Sequence, residues 1–410
     1  MVCLYFLFGD FNRHWLRFRN VYEKERTKYV IMEKRKKIHI VCFQTPYPAD
    51  YGGAIDVYYK AKALKDAGCH VVLHCFEYGG RGYNDALLRI ADEVFMYKRK
   101  IGLLQFLSFV PYIVKTRTSD SLLHNLLKDD APILFEGTHT TALLNAPKLK
   151  HRKKFLRMHN IESEYYLQLG RASTSLIKKI FFFVESFKLR HYESRLKSAD
   201  VIFAITEKDK AFLISLLPVC KAVLLPCFHN GDCSEQSPAV AEDGKYILYN
   251  GNLGVEENAR AVHYLMERVV PLTGQAQWVF AGGKPHKSLV KKAESLGKVT
   301  IKSCPSDAEM DALIRGAAAN VLITFQATGI KLKLLNALYK GGHCIVNDAM
   351  VESTGLADLC IVANSPQAIA AAIDEALRKP LAASELADRQ AWLHRLYDND
   401  NNIRVLLDFL

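Results

Sequence analysis

The sequence predicts an α/β protein with two doubly wound, Rossmann-like domains that face a central cleft. Short apolar runs alternate with helix-like stretches, a pattern typical of parallel strands joined by helices on both faces of a sheet. The chain has 410 residues, of which 50% are hydrophobic, so it is globular and long enough for two cores. A polar stretch rich in glycine and serine at residues 226–244 predicts the domain boundary.

Seven segments of the first half have the composition of buried strands. They are Ile38–Phe43, Val71–Phe76, Glu93–Tyr97, Ile133–Glu136, Lys154–His159, Val201–Ile205 and Ala222–Leu225. Helix-like stretches separate them, so we expect a parallel sheet with helices on both faces. We place this first domain at residues 32–232.

Six further strand candidates follow the boundary. They are Tyr246–Tyr249, Gln277–Ala281, Val299–Ile301, Val321–Phe325, Cys344–Asn347 and Cys360–Val362. The helices predicted between or after them include Asn258–Arg268, Ala308–Ala318 and Ser365–Arg378. We place the second domain at residues 233–385 and a C-terminal helical segment at residues 386–410, within a helical stretch broken near Asp398.

Residues 1–31 fit neither domain. They lack the basic start and small-residue cleavage site of a signal peptide, and they do not lead into a strand. From Met32 onward the sequence becomes a polar lead into the first strand. We therefore expect translation to start at Met32, and residues 1–31 to be an upstream artefact or a disordered appendage.

The net positive charge of the chain lies entirely in its first half. Residues 1–240 hold 37 Lys and Arg against 24 Asp and Glu, whereas residues 241–410 hold 18 against 19. The basic stretch Lys178–Arg190 also carries four phenylalanines, which suits either an anionic membrane surface or a solvated face over an ordinary core. No recognised nucleic-acid-binding motif accompanies the charge, so we expect no nucleic-acid partner.

Neither the cysteines nor the longest apolar run indicates a special environment. The ten cysteines show no C-x-x-C pair or metal-ligand spacing, so they read as buried hydrophobes in a reducing compartment. The run Ile101–Val114 has 14 residues, whereas a membrane-spanning helix needs about 20. It belongs in the core or at a membrane interface.

One segment of the second domain predicts an anion site. Residues 324–342 read as a strand end, a small-residue turn at Thr328-Gly329, and a helix whose first turns carry Lys331 and Lys333. Unpaired N–H groups and the positive dipole end of a helix attract anions, and lysines placed there add charge. The segment therefore indicates a phosphorylated ligand.

Two segments of the first domain are further candidates for the cleft. Gly52 and Gly53 lie at the turn after the first strand, where they allow close backbone approach and leave helix amides open to an anion; the alternative is a plain tight turn. His159 ends a basic, apolar strand and is followed by Asn160 and Glu162. At that edge a histidine can bind a polar ligand, although single histidines are commonly structural.

Five motifs in order resemble those of family four glycosyltransferases. They are Pro46-x-Pro48 with Gly52-Gly53, His159-Asn160-Ile161-Glu162, Tyr249-Asn-Gly251-Asn-Leu253 with Asn258, Phe280-Ala-Gly282-Gly283, and Gly329-x-Lys331-x-Lys333 with Gly341. The resemblance covers residues 38 to about 380. It implies the GT-B fold, in which the C-terminal helix crosses back to the first domain.

The resemblance also implies a division of labour. The second domain would bind a nucleotide-sugar donor, whose diphosphate would face Thr328, Gly329, Lys331 and Lys333. Gly52 and Gly53 would close on the same phosphates, and His159 would contact the donor sugar as the catalytic residue. Donor contacts would also come from Gly251, Asn252 and Asn336. Family members retain anomeric configuration and generally need no metal, so we expect no cofactor.

The sequence departs from the family pattern at three places. Asn336 stands where members often have a ribose-binding glutamate. The loop Gly251–Asn258 lacks the arginine and lysine that often bind the phosphates, so Lys331 and Lys333 would supply most of the positive charge there. Asp398-Asn399-Asp400 looks like the metal motif of a different glycosyltransferase fold, but its position between two helical pieces favours a simple loop.

These observations predict a retaining, metal-independent glycosyltransferase in the cytoplasm, with the inner face of the membrane as an alternative location. The first domain would bind a glycan or lipid-linked acceptor in surface polysaccharide or glycolipid synthesis, with peripheral contact to an anionic membrane. Two alternatives stay open: a sugar-nucleotide epimerase of the same fold, and a non-catalytic glycan- or nucleotide-binding scaffold. A nicotinamide-dependent dehydrogenase is disfavoured because no G-x-G-x-x-G follows the first strand.

Overall fold

A computed structural model describes residues 35–173, 175–231, 246–325, 332–352 and 354–410. Within them, the predicted strands form two parallel sheets. The first sheet contains β1 (Lys37–Cys42), β2 (His70–Glu77), β3 (Glu93–Lys98), β4 (Ile133–Glu136), β5 (Lys154–Arg157), β6 (Val201–Ala204) and β7 (Lys221–Leu224). The second contains β8 (Tyr246–Asn250), β9 (Gln277–Gly282), β10 (Val299–Ser303), β11 (Ala319–Leu322), β12 (His343–Val346) and β13 (Ile361–Val362).

Both sheets are doubly wound. The strand order is β3-β2-β1-β4-β5-β6-β7 in the first sheet and β10-β9-β8-β11-β12-β13 in the second. In each, the order reverses beside the strand that comes first in sequence, β1 or β8. Open parallel sheets bind ligands in the crevice that this reversal leaves at the carboxyl ends of the strands. The predicted fold class of two facing Rossmann-like domains is confirmed.

Helices connect the strands and cover both faces of each sheet. In the first domain they are α1 (Gly52–Asp66), α2 (Leu103–Phe106), α3 (Tyr112–Lys115), α4 (Asp120–Leu126), α5 (Glu162–Ala172), α6 (Leu176–Glu193) and α7 (Glu207–Leu216). In the second they are α8 (Glu256–Tyr264), α9 (Lys287–Leu296), α10 (Asp307–Gly316), α11 (Leu332–Lys340), α12 (Asp348–Val351), α13 (Pro366–Arg378) and α14 (Ala383–Tyr397). The predicted helix Asn258–Arg268 begins earlier, at Glu256, and ends in a wider π-helical turn at Leu265–Val269.

The first sheet is buried on both faces because its strands are apolar throughout. Along β1, Ile38 and Ile40 pack into the cluster under α1, whereas Val41 points into the cluster on the opposite face. This alternation follows from the two-residue period of a strand. The polar residue His39 is also buried, and its ring nitrogens lie 2.9 Å from His74 and 2.9 Å from Asp129.

A final helix, α15 (Asn399–Leu407), packs against α1 of the first domain. Ile403 and Leu406 are buried in the first domain's core, and the Phe409 ring lies 5.6 Å from that of Phe203. Asp398 caps this helix, because its Oδ1 accepts a hydrogen bond from the Asp400 amide at 2.7 Å. The motif Asp398-Asn399-Asp400 is therefore a helix cap at the point where the chain crosses back.

The first domain carries an exposed apolar surface. Eleven of the 22 exposed large apolar side chains among the described residues lie within residues 101–109 and 176–187. Phe109 is 99% exposed, and Ile177 is 82% exposed. The two segments touch, since the Phe106 and Phe181 rings lie 5.4 Å apart. None of the described helices combines the length and the apolar character needed to cross a bilayer.

Candidate functional site

The turn after β1 places the start of α1 at the carboxyl edge of the first sheet. Gly52 and Gly53 open the helix, and its first intrahelical bond runs from the Ile55 amide to the Tyr51 carbonyl at 2.9 Å. The amides before Ile55 have no carbonyl one turn earlier in the helix. A β-carbon at Gly53 would lie 2.8 Å from the Phe43 ring, so glycine allows this turn to pack closely.

The start of α1 meets the start of α11 across the cleft. A β-carbon added to Gly52 would lie 3.7 Å from Cδ1 of Leu332, which begins α11. Ile55, one turn into α1, packs within the apolar cluster of the second domain. The structure therefore brings together two of the elements that the sequence singled out, the Gly52-Gly53 turn and the lysine-bearing helix.

Lys333 lies in the first turn of α11. Its Nζ lies 2.9 Å from Oδ1 of Asn258 and 3.1 Å from the Tyr249 hydroxyl, and it sits 4.8 Å from the centre of the Tyr249 ring. Tyr249 also donates to Asn258 Oδ1 at 3.0 Å. These contacts tie α11 to β8 and α8, and they hold one ammonium group at the edge of the second sheet.

Other predicted donor-binding residues of this helix have different outcomes. Thr328, Gly329 and Lys331 lie outside the described residues, so their roles stay predictions. Asn336 lies in α11, one turn after Lys333. Its Oδ1 is buried and has no hydrogen-bond partner among the described residues.

The loop after β8 contains Gly251 and Asn252. Asn252 accepts through Oδ1 from the Gly254 amide at 3.1 Å, and its carbonyl accepts from Asn258 Nδ2 at 3.1 Å. Gly282, at the end of β9, lies directly behind this loop with a φ of +149°. A β-carbon on Gly282 would lie 1.6 Å from the Gly251 carbonyl oxygen, so only glycine fits.

His159 faces a buried charge network rather than open solvent. Its Nε2 lies 2.8 Å from Oε2 of Glu136, and its Nδ1 lies 3.9 Å from Oδ2 of Asp56. The side chain is 11% exposed. Both ring nitrogens therefore point toward carboxylates. The predicted contact between His159 and a donor sugar stays a prediction.

Lys60 and Arg157 complete the charge network. Lys60 Nζ lies 2.9 Å from Asp56 Oδ2 and 2.9 Å from Glu136 Oε1. Arg157 Nη2 lies 3.1 Å from Asp56 Oδ1, and its Nη1 donates to the Leu225 carbonyl. These four side chains are at most 2% exposed.

Both carboxyls of the network are held in their ionised form. Burial alone would raise the pKa of Asp56, but the charges of Arg157 and Lys60 outweigh burial and hold the pKa well below its ordinary value. Burial likewise opposes ionisation of Glu136, yet the charges of Lys60 and His159 lower its pKa. The network thus contains two anions and two cations, apart from His159.

Three members of this network have the spacing of metal ligands. Ligand atoms of Asp56, Glu136 and His159 all lie within 4.8 Å of one another. However, the Lys60 ammonium is bonded to both carboxylates and stands where a cation would bind. A metal ion would have to displace Lys60, so the arrangement fits an internal ion-pair network better than a metal site.

A second buried acidic group lies behind His159. Burial and the nearby charge of Glu193 raise the pKa of Glu162 to about 8. His139 Nδ1 lies 3.9 Å from Glu162 Oε1, and burial together with the charge of Arg117 holds the pKa of His139 well below its ordinary value. At neutral pH both groups are therefore uncharged.

Sequence reasoning missed Asp56, Lys60 and Glu136. A usable signal was present, since Asp56 and Lys60 are charged residues four positions apart on the apolar face of a predicted helix. Glu136 ends the apolar strand Ile133–Glu136, where a buried carboxylate needs a partner. The register of the sheet supplies one neighbour by placing Glu136 beside Arg157.

No family model matches the chain. It is 25% identical over 342 residues to an uncharacterised 44.6 kDa protein in the cps region of Klebsiella pneumoniae, covering 78% of this chain and 84% of that protein.

Solved structures cover the chain almost completely. A sucrose-phosphate synthase from Thermosynechococcus elongatus covers 92% of this chain and 98% of its own, with a TM-score of 0.66 and 14% identity. A glycosyltransferase from Rickettsia africae covers 92% and 98%, with a TM-score of 0.64 and 13% identity. A trehalose-6-phosphate structure from E. coli, bound with UDP-2-fluoro glucose, covers 91% and 98%, with a TM-score of 0.58 and 13% identity.

These similar structures are GT-B glycosyltransferases. The resemblance seen in the sequence motifs is thereby confirmed at the level of the fold: the chain has the GT-B fold, with two Rossmann-like domains and a cleft between them.

Proposed function

We propose that this protein is a glycosyltransferase that moves a sugar from a nucleoside-diphosphate sugar to a glycan or lipid-linked acceptor. The observation that carries the proposal is the meeting of two helix starts, at Gly52 and Leu332, across the cleft of a GT-B fold. Each start offers amide hydrogens and a positive dipole end to an anion. In this proposal, the donor diphosphate binds at these two helix starts.

In this proposal, fixed charge replaces a metal ion. Lys333 lies in the first turn of α11, and Lys331 precedes it in the sequence. As the bond between the sugar's C1 and the β-phosphate oxygen breaks, its electron pair passes to the diphosphate, whose growing charge these groups stabilise. The acceptor hydroxyl bonds to C1 from the face that the diphosphate leaves, which retains configuration, and its proton passes to a phosphate oxygen.

The internal charge network has a positioning role in the proposal. Asp56 on α1, Glu136 on β4 and Arg157 on β5 join three elements that reach the same edge of the sheet. His159 follows β5 and bonds to Glu136. The network would hold the donor-facing turn in place before the donor binds, which lowers the cost of ordering it.

Nucleotide binding tests this proposal. In a thermal-shift screen of nucleoside diphosphates and nucleotide sugars, a ligand at about 100 times its dissociation constant stabilises by roughly 2.7 kcal/mol. We expect at least one donor to do so, and the variant Lys331→Ala/Lys333→Ala to lose the effect. Lys291→Ala, an exposed lysine on α9, is the matched control. Unchanged affinity in the double variant would refute the donor site.

A sugar-nucleotide epimerase of the same fold is the second candidate. The structure favours it in one respect, because Asp56, Glu136 and His159 form the acidic and histidine group that such enzymes need and that the sequence did not reveal. The carboxylates are paired with Lys60 and Arg157 and are buried, which argues against direct use on a sugar. Conversion of a nucleotide sugar without any acceptor would favour the epimerase.

A non-catalytic scaffold is the third candidate. Asn336 and the loop at Gly251 lack the charged groups that family members often use. Slow hydrolysis of a bound donor, or transfer to any acceptor, would count against it. Binding of a nucleotide sugar with neither reaction would favour it.

We further infer that the apolar surface rests on an anionic membrane at the cytoplasmic side, where surface polysaccharide or glycolipid precursors would be extended. Leu104 and Phe109 are 81% and 99% exposed, and Lys178, Lys179 and Arg190 lie on the adjoining helix. Exposed apolar side chains rimmed by basic residues suit an interfacial contact with anionic lipid. The relative from a cps region supports a role in polysaccharide synthesis.

Vesicle co-sedimentation tests the membrane contact. We expect the protein to sediment with vesicles containing phosphatidylglycerol and to bind vesicles of phosphatidylcholine weakly. The variant Leu104→Ser/Phe109→Ser should lose this binding, because two exposed apolar anchors are removed. Val219→Ser is the matched control, since Val219 is 82% exposed elsewhere on the first domain. Equal sedimentation of the two variants would rule the surface out.

A further inference from the structure

Two arginines at the carboxyl edge of the first sheet lack a carboxylate partner. Arg117 is 4% exposed, and its Nε and Nη1 donate to the carbonyls of Phe43 and Ile113, each at 2.7 Å. Arg99 donates through Nε to the Thr116 hydroxyl at 3.0 Å. Among the described residues, no ion pair involves either arginine. Arg152 and Arg157 are paired with Asp129 and Asp56, whereas the buried Arg389 donates to the carbonyls of Gly341 and Gly342.

The surroundings of these arginines keep the site positive. Burial and the charge of Arg99 lower the pKa of Arg117 to about 9, so Arg117 still carries its charge at neutral pH. Glu162, which interacts electrostatically with Arg117, is protonated at neutral pH because burial and Glu193 raise its pKa to about 8. His139, which also feels both arginines, is neutral. A buried charge without a counter-ion is costly unless a ligand supplies one.

Aromatic rings flank the two guanidinium groups. Arg99 lies 4.2 Å from the centre of the Tyr78 ring and 5.8 Å from that of Tyr112. Tyr112 in turn lies 6.0 Å from the Phe181 ring, which belongs to the helix of the apolar surface. The arginines therefore lie between the cleft and the apolar surface.

The arginine pair also adjoins the turn assigned to the donor. Phe43, whose carbonyl accepts from Arg117, lies with its ring 5.4 Å from the His159 ring. The same ring is the group that a β-carbon at Gly53 would strike. An anion bound at the arginines would thus lie on the first-domain side of the donor site.

We propose that Arg99 and Arg117 form a subsite for the phosphate or diphosphate group of a phosphorylated acceptor. The subsite deepens the proposed function and rests on it. The guanidinium nitrogens that do not already donate to Phe43, Ile113 or Thr116 can bind phosphate oxygens, and an incoming anion would supply the counter-charge that Arg117 lacks. Because the subsite lies next to the apolar surface, it suits a lipid-linked diphosphate. A water-soluble sugar phosphate would use the arginines alone.

Ligand titration of the full chain tests the subsite. Inorganic pyrophosphate and farnesyl diphosphate are titrated by calorimetry while saturating nucleoside diphosphate occupies the donor site. We expect Arg99→Gln to weaken both probes about tenfold or more, because charge-assisted hydrogen bonds are lost. Arg117→Lys keeps the charge but not the fork, so it should also weaken them. Arg315→Gln on α10 is the matched control and should bind both probes like the wild type.

The outcomes separate the two proposals and the two acceptor sources. Nucleoside-diphosphate affinity should be unchanged in Arg99→Gln. Weaker nucleoside-diphosphate binding in Lys333→Ala, but not in Arg99→Gln, therefore identifies the donor site independently of the subsite. Tighter binding of farnesyl diphosphate than of pyrophosphate, reduced by Leu104→Ser/Phe109→Ser, would indicate a lipid-linked acceptor, and equal binding a soluble one. Equal pyrophosphate and farnesyl diphosphate affinities in Arg99→Gln and the wild type would overturn the subsite, even if Arg117→Lys fails to fold.

Discussion

The two walls of the cleft are held by different forces. The first-domain wall rests on buried ion pairs among Asp56, Lys60, Glu136 and Arg157. In the second-domain wall, the contacts of the Lys333 ammonium include the uncharged oxygens of Tyr249 and Asn258. Ion pairs in a protein interior are costly to break because each partner would be left as an uncompensated charge.

The difference suggests a fixed wall and an adjustable one. Hydrogen bonds from an ammonium group contribute about 1.5–3 kcal/mol each, and phosphate oxygens can replace Tyr249 and Asn258 as acceptors for Lys333. The carboxylates beside Lys60 have no comparable freedom. Four experiments would break or sharpen this comparison.

The largest effect is expected from Asp56→Ala. The change leaves Lys60 and Arg157 as buried cations with one carboxylate fewer, which should lower the free energy of unfolding by about 3–5 kcal/mol. Denaturant unfolding followed by circular dichroism measures it. Asp66→Ala is the control on the same helix, where the pair with Lys62 is more than half exposed and contributes about 0–1 kcal/mol. Similar losses in both variants would contradict the fixed-wall interpretation.

Gly282→Ala should come next. Its β-carbon cannot lie 1.6 Å from the Gly251 carbonyl, so the loop after β8 must move, at a cost of about 1–3 kcal/mol for overpacking. We also expect weaker nucleoside-diphosphate binding. Gly274→Ala serves as the comparison, because Gly274 also has a positive φ but no atom within 4 Å of an added β-carbon. Wild-type nucleotide affinity in Gly282→Ala would remove this loop from the donor site.

A double-mutant cycle on Lys333 and Asn258 tests the adjustable wall. We expect Lys333→Ala to weaken nucleoside-diphosphate binding about tenfold, or about 1.4 kcal/mol. Because Asn258 positions the ammonium, the effects of Lys333→Ala and Asn258→Ala should be coupled by at least about 0.5 kcal/mol. Calorimetry on the two single variants and the double variant gives the coupling. Strict additivity would mean that Asn258 does not position Lys333.

The last experiment measures how Glu162 makes the stability of the protein depend on pH. Its folded pKa of about 8 lies above the ordinary value of about 4.3, so between these values the folded state binds a proton that the unfolded state lacks. Stability from this group is therefore lost as the pH rises toward 8. Glu162→Gln should raise Tm by about 5 °C more at pH 8.5 than at pH 5, as measured by thermal unfolding at the two pH values.

Several groups facing Glu162 affect this measurement. Glu193 raises its pKa, Arg117 and Asn160 lower it, and His139 lies 3.9 Å away. Glu164→Gln on the same helix is therefore the control. A pH-dependent gain of the same size in Glu164→Gln would show that the effect is not specific to Glu162.

The fold was predictable because the strand pattern is local. Runs such as Ile38–Phe43 are apolar for the full depth of a sheet, and this indicates strands buried on both faces. The Gly52-Gly53 turn was predictable for a similar reason, since it directly follows the first strand. Its meeting with Leu332 depends on the packing of two domains, which no local pattern contains.

The charge network was not predictable from local pattern. Glu136 lies 76 positions from Lys60 in sequence, and the two meet because β4 pairs directly with β1. The strand order that produces this contact follows from the fold rather than from either residue. Lys331, which the sequence singled out together with Lys333, lies outside the described residues, so its role rests on the Lys331→Ala/Lys333→Ala experiment.

The crossing of α15 onto the first domain has a consequence for how the protein is made. Ile403 and Leu406 complete a core whose other members are synthesised before the whole second domain. During translation the core of the first domain therefore stays incomplete until α15 has been synthesised. We expect a chain released before Asn399 to leave its first domain sensitive to protease while the second resists. Equal resistance of both domains would show that the first domain folds without α15.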